Sequence, residues 1–349
     1  MEVTRRRAKE IEEEIKKPHE KKNLKFASEG NFSHGVLSTG CTLLDLNISG
    51  GRLRGGGIPG GIVIEIFGPS QTGKTAILAE ICASAQSKGG DVQFNDPEAR
   101  LDKEYSRIYG MELEKKNYDR PNTVSKVFEN IRNWKPEGRE GSIHVAANDS
   151  LAALSTDLEM DNDEGDKRGQ KRAKEFSEGL RKTCRIIAEN NWIIPCTNQI
   201  RQGERGAITP GGEAIKFYSS LRLSLKPSFP SYKLEKKIKT SYGSEVEKVI
   251  GVRTECTIVK SSIDDPWREC TIYIIFNYGI DDIRGNLQYV KDILKLSSYK
   301  AIDKSFRGMD QAIEYIENNS LQNKLKEEVI NLWEEVESKF KVERKRKER

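Results

Sequence analysis

Gly68-Pro69-Ser70-Gln71-Thr72-Gly73-Lys74-Thr75 fits the pattern G-x-x-x-x-G-K-[ST], and no other stretch constrains the fold of this chain as much. Glycines at both ends let the backbone curl until its N–H groups point inward at phosphate oxygens. Lys74 then reaches toward the β- and γ-phosphates, and the Thr75 hydroxyl is placed to ligate Mg²⁺. The backbone from Gly68 to Ala76, with the positive end of the following helix, completes an anion cradle. A glycine turn with an incidental lysine is the plainer reading. The context argues against it: the apolar run IVIEIF (62–67) reads as a buried strand before the loop, and TAILAEICASAQSK reads as a helix after it.

Strand, glycine loop and helix begin a βαβ unit. DVQFND (91–96), SIHVAAND (142–149) and WIIPCTNQ (192–199) are further short strands, with a helical stretch RAKEFSEGLRKTCRIIAENN between the last two. Strands alternating with helices predict a mostly parallel central sheet flanked by helices, the architecture of an α/β P-loop NTPase. After residue 220 the pattern shifts to LRLSLK, ECTIVK and CTIYIIF in closer succession, with a charged connection (231–248) suited to a hairpin. From about residue 284 the spacing is helical, with Leu325, Val329, Leu332, Trp333, Val336 and Phe340 at three- and four-residue steps, and the chain ends in a basic tip, KVERKRKER.

The C-terminal ends of parallel strands gather at one crevice. Asp149, ending its strand, is the candidate magnesium acid, although a helix N-cap is the competing role because a new segment starts at Ser150. Glu98, in FNDPEARLD, lies just past the second strand and is the candidate base for a water molecule. Gln199 arrives at the same edge, where its amide can touch a γ-phosphate. Ordinary solvated side chains are the alternative for both.

Composition removes several classes. The chain has 349 residues, and 59 Lys+Arg against 54 Asp+Glu leave only +5, so a nucleic-acid surface must come from local clustering. No apolar run is long enough to span a bilayer, and the first residues, MEVTRRRAKEIEEEIKK, lack the apolar core of a secretory signal. The six cysteines are scattered without a C-x-x-C pair and read as reduced thiols of a cytoplasmic protein. Three histidines rule out a His-rich metal site. Ile11 and Ile15, at i, i+4 among charges, suggest a short helix in an N-terminal arm (1–36) that is either solvated or packed on a neighbouring subunit.

Taken in order, LSTGCTLLD, GGIPGGIVIEIFGPSQTGKT, FNDPEARLDKEYSRIYG, ANDSLAAL, SEGLRKT, CTNQIR, TPGGEAIKFYSSLRL and VKSSIDDPWRE resemble the RecA family of ATP-dependent recombinases, in its bacterial and phage branch. The resemblance covers about residues 37–283. It implies a RecA-like core over 37–283, an oligomerisation arm before it, and a small helical C-terminal region (284–349) after it. It places Glu98 at the water-activating glutamate, Thr75 and Asp149 at the magnesium positions, and Asp102 and Tyr105 at the adenine. Gln199 falls at the glutamine between γ-phosphate and the second DNA loop. Phe217 falls at the aromatic that crosses to the neighbouring subunit, and Lys260 at one of two lysines that reach the next subunit's ATP.

Two DNA-binding loops are implied as well. The first (about 157–176) holds Lys167, Arg168, Lys171, Arg172 and Lys174 and leads into Ser177 and Arg181; the second (201–212) holds Arg201, Arg205, Gly211 and Gly212. Such contacts bind phosphate, tolerate sequence and weaken with salt. Four positions depart from the family pattern. Ser262 replaces the second lysine, Ala99 follows the catalytic glutamate where histidine is usual, the first loop opens with acidic residues, and the tail ends basic. The expected activity is DNA-dependent ATP hydrolysis with Mg²⁺. It would occur in homo-oligomeric filaments on single-stranded DNA that pair with homologous duplex DNA. A RecA-core helicase and a non-hydrolysing recombination mediator are the rivals.

Overall fold

Two short strands, β1 (Val36–Leu37) and β2 (Ile58–Pro59), pair antiparallel beside helix α1 (Thr42–Ser49). The main sheet begins with β3 (Ile62–Gly68), followed by α2 (Lys74–Ser87), β4 (Val92–Asn95), α3 (Lys103–Ile108) and β5 (Tyr118–Asp119). Next come α4 (Val124–Asn133), β6 (His144–Asn148), α5 (Arg168–Glu189) and β7 (Trp192–Gln199). A small hairpin of β8 (Arg201–Gly203) and β9 (Gly206–Ile208) precedes α6 (Gly212–Tyr218) and β10 (Leu221–Pro227). Then follow β11 (Lys233–Lys239), β12 (Glu245–Ser261), β13 (Glu269–Ile275) and β14 (Gly279–Ile280). The C-terminal part comprises α7 (Asp282–Ile293), the hairpin β15 (Tyr299–Ala301)–β16 (Lys304–Phe306), α8 (Met309–Asn318) and α9 (Gln322–Lys339).

The computed structural model of the chain describes residues 32, 35–157, 168–203, 206–208, 212–341 and 344, with the backbone alone at 103, 168–170, 201–203, 206–208 and 212. The helix expected around Ile11 and Ile15, and most of the basic tip, lie outside the described residues.

The strand order is β14-β13-β12-β10-β3-β7-β6-β4-β5, with β11 pairing on β12. From β5 to β10 every pairing is parallel; β12, β13 and β14 extend the sheet antiparallel. The expected mostly parallel sheet is thus present, and 231–248 is a hairpin, with Lys239 opposite Glu245 at its far end.

β3 is covered on both faces, and its period-2 alternation divides the core. Ile62, Ile64 and Ile66 join a cluster with α1 and α2, while Val63 points into a second cluster with Val127 and Phe128 of α4 and Phe176 and Leu180 of α5. Leu325, Val329 and Trp333 of α9 belong to the first cluster, so the C-terminal helix packs on the same core as the strands. Glu65 is fully buried on β3. Its carboxylate takes Arg222 Nε of β10 at 2.6 Å and Asn198 Nδ2 of β7 at 2.9 Å, which satisfies a charge that would otherwise be too costly to bury.

The first predicted loop requires a correction. Its end, 168–176, is helical: the helix read from Arg172 onward starts four residues earlier, at Arg168, and Phe176, Leu180, Thr183 and Ile187 bury one stripe of it.

Candidate nucleotide and DNA site

β3 ends at Gly68, and α2 starts at Lys74, so the phosphate loop spans the gap between them. Glycine is required at both ends of the curl. A Cβ on Gly68 would stand 2.3 Å from Leu225 O, and one on Gly73 would stand 2.0 Å from Ile274 Cδ1, at φ +82. Thr72 Oγ1 donates to Pro69 O at 2.9 Å and braces the turn. No side chain caps α2, so its first N–H groups remain available to an anion. Lys74 Nζ donates to Gly68 O at 3.0 Å and Pro69 O at 2.6 Å, which holds the ammonium against the loop. Burial lowers the Lys74 pKa, and the nearby Asp149 and Glu98 carboxylates oppose that shift.

Asp149 follows the last residue of β6, and the peptide joining it to Ser150 is cis. Its Oδ2 accepts from Thr75 Oγ1 at 2.6 Å and its Oδ1 from Thr197 Oγ1 of β7. Burial raises the Asp149 pKa against the pull of both threonines. A half-buried carboxylate beside a hydroxyl is a hard-oxygen pair of the kind Mg²⁺ takes, and a cation there would supply the charge that burial withholds. Among the described residues no cluster of three His, Cys, Asp or Glu side chains is arranged to hold a metal, and Thr75 and Asp149 are the residues at this site that would hold such an ion.

Glu98 sits in the turn after β4. Ala99 N bonds to Asp96 O at 3.1 Å, Leu101 N bonds to Asp96 Oδ2 at 2.9 Å, and Ala99 takes φ +53. Glu98 Oε1 accepts from Ser150 Oγ at 2.6 Å and from Gln199 Nε2 at 3.3 Å, while Oε2 lies 3.0 Å from Arg100 Nη1. Gln199 is the register partner of Gly68 across the parallel β3–β7 pair. The structure therefore brings Lys74, Thr75, Asp149, Glu98 and Gln199 together at one end of the sheet. Thr197, Ser150 and Arg100 were not anticipated as part of this group. Thr197 was readable, since it shares a strand face with Gln199 two residues on.

Other expected residues are placed but not joined to that group. Asp102 caps α3 by accepting from Glu104 N at 2.8 Å, and Tyr105, 40% exposed, shares a hydrogen bond of 2.9 Å with Tyr109 through their hydroxyls. Phe217 is 75% exposed on α6. Lys260 Nζ donates to Lys216 O at 2.7 Å and Phe217 O at 2.8 Å, at the C-terminal end of that same helix. Lys171, Lys174 and Arg181 are exposed on α5, and Ser177 is half-buried there. Arg168 is placed by its backbone on α5, Arg201 on β8 and Gly212 at the start of α6. Lys167, Arg205 and Gly211 lie outside the described residues. Within the second predicted loop, Arg201–Gly203 and Gly206–Ile208 pair as the β8–β9 hairpin, one residue beyond Gln199.

A parallel sheet with a phosphate loop on its central strand, and with two carboxylates and a glutamine gathered beside that loop, defines a P-loop NTPase with a RecA-like core. A family model described as the RecA N-terminal domain matches residues 7–281, and the chain belongs to the RecA family. It is similar to Protein RecA of Clostridium acetobutylicum, at 32% identity over 269 residues that cover 76% of this chain and 71% of that one. Protein RecA of Thermus thermophilus is 33% identical over 253 residues, 71% of this chain and 69% of its own. Protein RecA of Phytoplasma mali is 30% identical over 329 residues, 91% of this chain and 90% of its own. The chain is accordingly an ATP-binding, DNA-dependent ATPase of recombination and repair. Among the described residues no helix is long and apolar enough to cross a membrane.

Proposed function

We propose that this ATPase works between neighbouring copies in a helical filament on single-stranded DNA, and that the filament pairs its strand with homologous duplex. The observation that carries this reading is the 3.3 Å bond from Gln199 Nε2 to Glu98 Oε1. It joins the candidate base for water to the strand that runs directly into the second DNA segment, Arg201–Gly212. Binding at either end then has a short, rigid path to the other.

In this reading Lys74 leaves its loop carbonyls for the β- and γ-phosphates, and the amides of Gly68–Ala76 hold their oxygens. Thr75 and Asp149 hold Mg²⁺, which when bound supplies positive charge beside the phosphate oxygens. Glu98 takes a proton from water, with Ser150 and Gln199 fixing its carboxylate. Asp102 and Tyr105 hold the adenine. Lys167, Arg168, Lys171, Arg172, Lys174, Ser177 and Arg181 bind DNA phosphates together with Arg201, Arg205, Gly211 and Gly212. Phe217 and Lys260 meet the neighbouring copy, Lys260 acting in trans on its ATP. The arm (1–36), core (37–283) and C-terminal region (284–349) divide the labour.

The test is ATP turnover with and without single-stranded DNA, read beside electron microscopy. Turnover stimulated by the strand, with helical filaments, is expected. Closed rings that translocate would favour the helicase reading, and binding without turnover would favour a mediator.

A further inference from the structure

The turn from Ser262 to Arg268, between β12 and β13, is held from behind by one guanidinium. Arg268 is only 13% exposed; its Nη1 lies 3.0 Å from Asp264 Oδ2, and its Nη2 lies 2.9 Å from Glu337 Oε2 of α9 and 3.5 Å from Asp265 Oδ2. Nη1 also donates to Asn47 O of α1 at 3.4 Å, and the guanidinium carbon lies 5.2 Å from the ring centroid of Trp333 of α9. Trp333 Nε1 donates to Asn47 Oδ1 at 3.2 Å, and Asp264 Oδ2 accepts from Gly51 N at 2.8 Å. A planar fork that meets several carboxylate groups while lying over an indole fixes the turn in a way a lysine cannot.

The front of the turn is open. Ser262 is exposed and fixed by its N–H to Ser220 O at 2.8 Å, and Trp267 is 70% exposed at φ +70. A tryptophan held in the left-handed region with its indole in solvent is unfavourable in an isolated chain. Lys260 stands two residues before Ser262, and its ammonium meets the carbonyl of Phe217, so Phe217, Lys260 and Ser262 line one surface. That surface is open in front and braced behind by α1 and α9.

We infer that Arg268 is a positioning residue for ATP hydrolysis in the neighbouring copy. It fixes the turn beside Lys260 and thereby ties α9 to the trans half of the composite site. The inference rests on the trans role proposed for Lys260. A cation stabilises charge on a transferring phosphoryl group only when its position is already set, and small displacements are costly.

The experiment uses full-length Arg268→Ala and Glu337→Gln with single-stranded DNA. For Arg268→Ala the expected result is a kcat about 10-fold lower with KM for ATP within about twofold, and a smaller loss in the same direction for Glu337→Gln. Each is then mixed with Glu98→Gln protein in co-filaments. An Arg268→Ala subunit brings a sound Glu98, and its Glu98→Gln neighbour brings a sound trans face, so turnover should rise above that of either protein alone. A general folding defect is not repaired by such mixing. Lys260→Ala mixed with Glu98→Gln runs beside it. If that mixture recovers and the Arg268→Ala mixture does not, the positioning role is overturned. If neither recovers although co-filaments form, the trans reading falls and takes this inference with it. Wild-type kcat in both folded variants also overturns it. Should Arg268→Ala fail to fold, Glu337→Gln carries the same mixing test, because it leaves the guanidinium on Asp264 and over Trp333 and removes only the charge of its Glu337 partner.

Discussion

Ser150 Oγ donates to Glu98 Oε1 at 2.6 Å, and Ser150 directly follows Asp149, so neighbouring residues serve both carboxylates of the site. Asp149 engages Thr75 and Thr197, whereas Glu98 is steered by Ser150, Gln199 and Arg100. The two acids thus hold separate sets of partners. Glu98→Gln keeps an oxygen for Ser150 and Gln199 but loses the proton acceptor. Hydrolysis should slow by about 10²-fold or more while ATP-dependent filaments still form. Steady-state turnover beside electron microscopy checks this, and wild-type turnover would assign the water to another group.

Lys74→Ala removes the ammonium that the phosphate loop holds by its own carbonyls. ATP affinity should fall by at least about 10-fold, and ATP-dependent retention of single-stranded DNA should be lost. Nucleotide titration and a filter-binding assay on protein with a wild-type circular dichroism spectrum measure both. Unchanged affinity in that folded protein would contradict the phosphate role.

Ser262→Lys should raise DNA-stimulated turnover, and Lys260→Ala should nearly abolish it, because a second cation near the neighbouring copy's phosphates adds transition-state stabilisation. A gain of about 3-fold or more is the scale of a partly screened charge. The gain should disappear at protein concentrations too low for filaments. A gain that persists in isolated subunits would show that the lysine acts within one chain.

Glu80, on α2, is pushed up to about 7, chiefly by burial, while its hydrogen bond with the Ile280 backbone opposes the shift. Its ordinary value is 4.5, so between 4.5 and about 7 the folded chain retains a proton that the unfolded chain has released. Stability contributed by this group therefore falls as pH rises through that window and is flat above it. Glu80→Gln should flatten that part of the profile. Its melting temperature should exceed the wild-type value by about a few degrees at pH 8, with the two converging near pH 4. Scanning calorimetry at several pH values decides it, and parallel profiles for the two proteins would remove Glu80 as the cause.

The phosphate loop, the alternation of strands and helices, and the convergence of Glu98, Asp149 and Gln199 were legible because they depend on local patterns and on one rule about strand ends. The helix from Arg172 onward was legible, but its first turn was not, because Arg168–Lys171 carry no apolar residue to mark the buried stripe and read as the end of a basic loop. Ser150 and Arg100 were invisible for a different reason. Their partner, Glu98, is 52 residues away from Ser150, and the turn that aims it depends on Ala99 at φ +53, which no composition signal announces. Arg268 reads as an ordinary surface arginine until α9, 69 residues later, is brought against it.

Glu65, Asn198 and Arg222 come from three adjacent strands, β3, β7 and β10, and meet at one fully buried carboxylate. Changing one partner alone strands a charge in the core, at a cost of about 3–5 kcal/mol, whereas exchanging the ion pair for apolar residues together is far cheaper. Sequence drift at positions 65 and 222 is therefore expected to be joint. A lineage that loses the glutamate should lose the arginine as well, and chimaeras that inherit β3 from one parent and β10 from another should fail at this point although every nucleotide-contacting residue is intact.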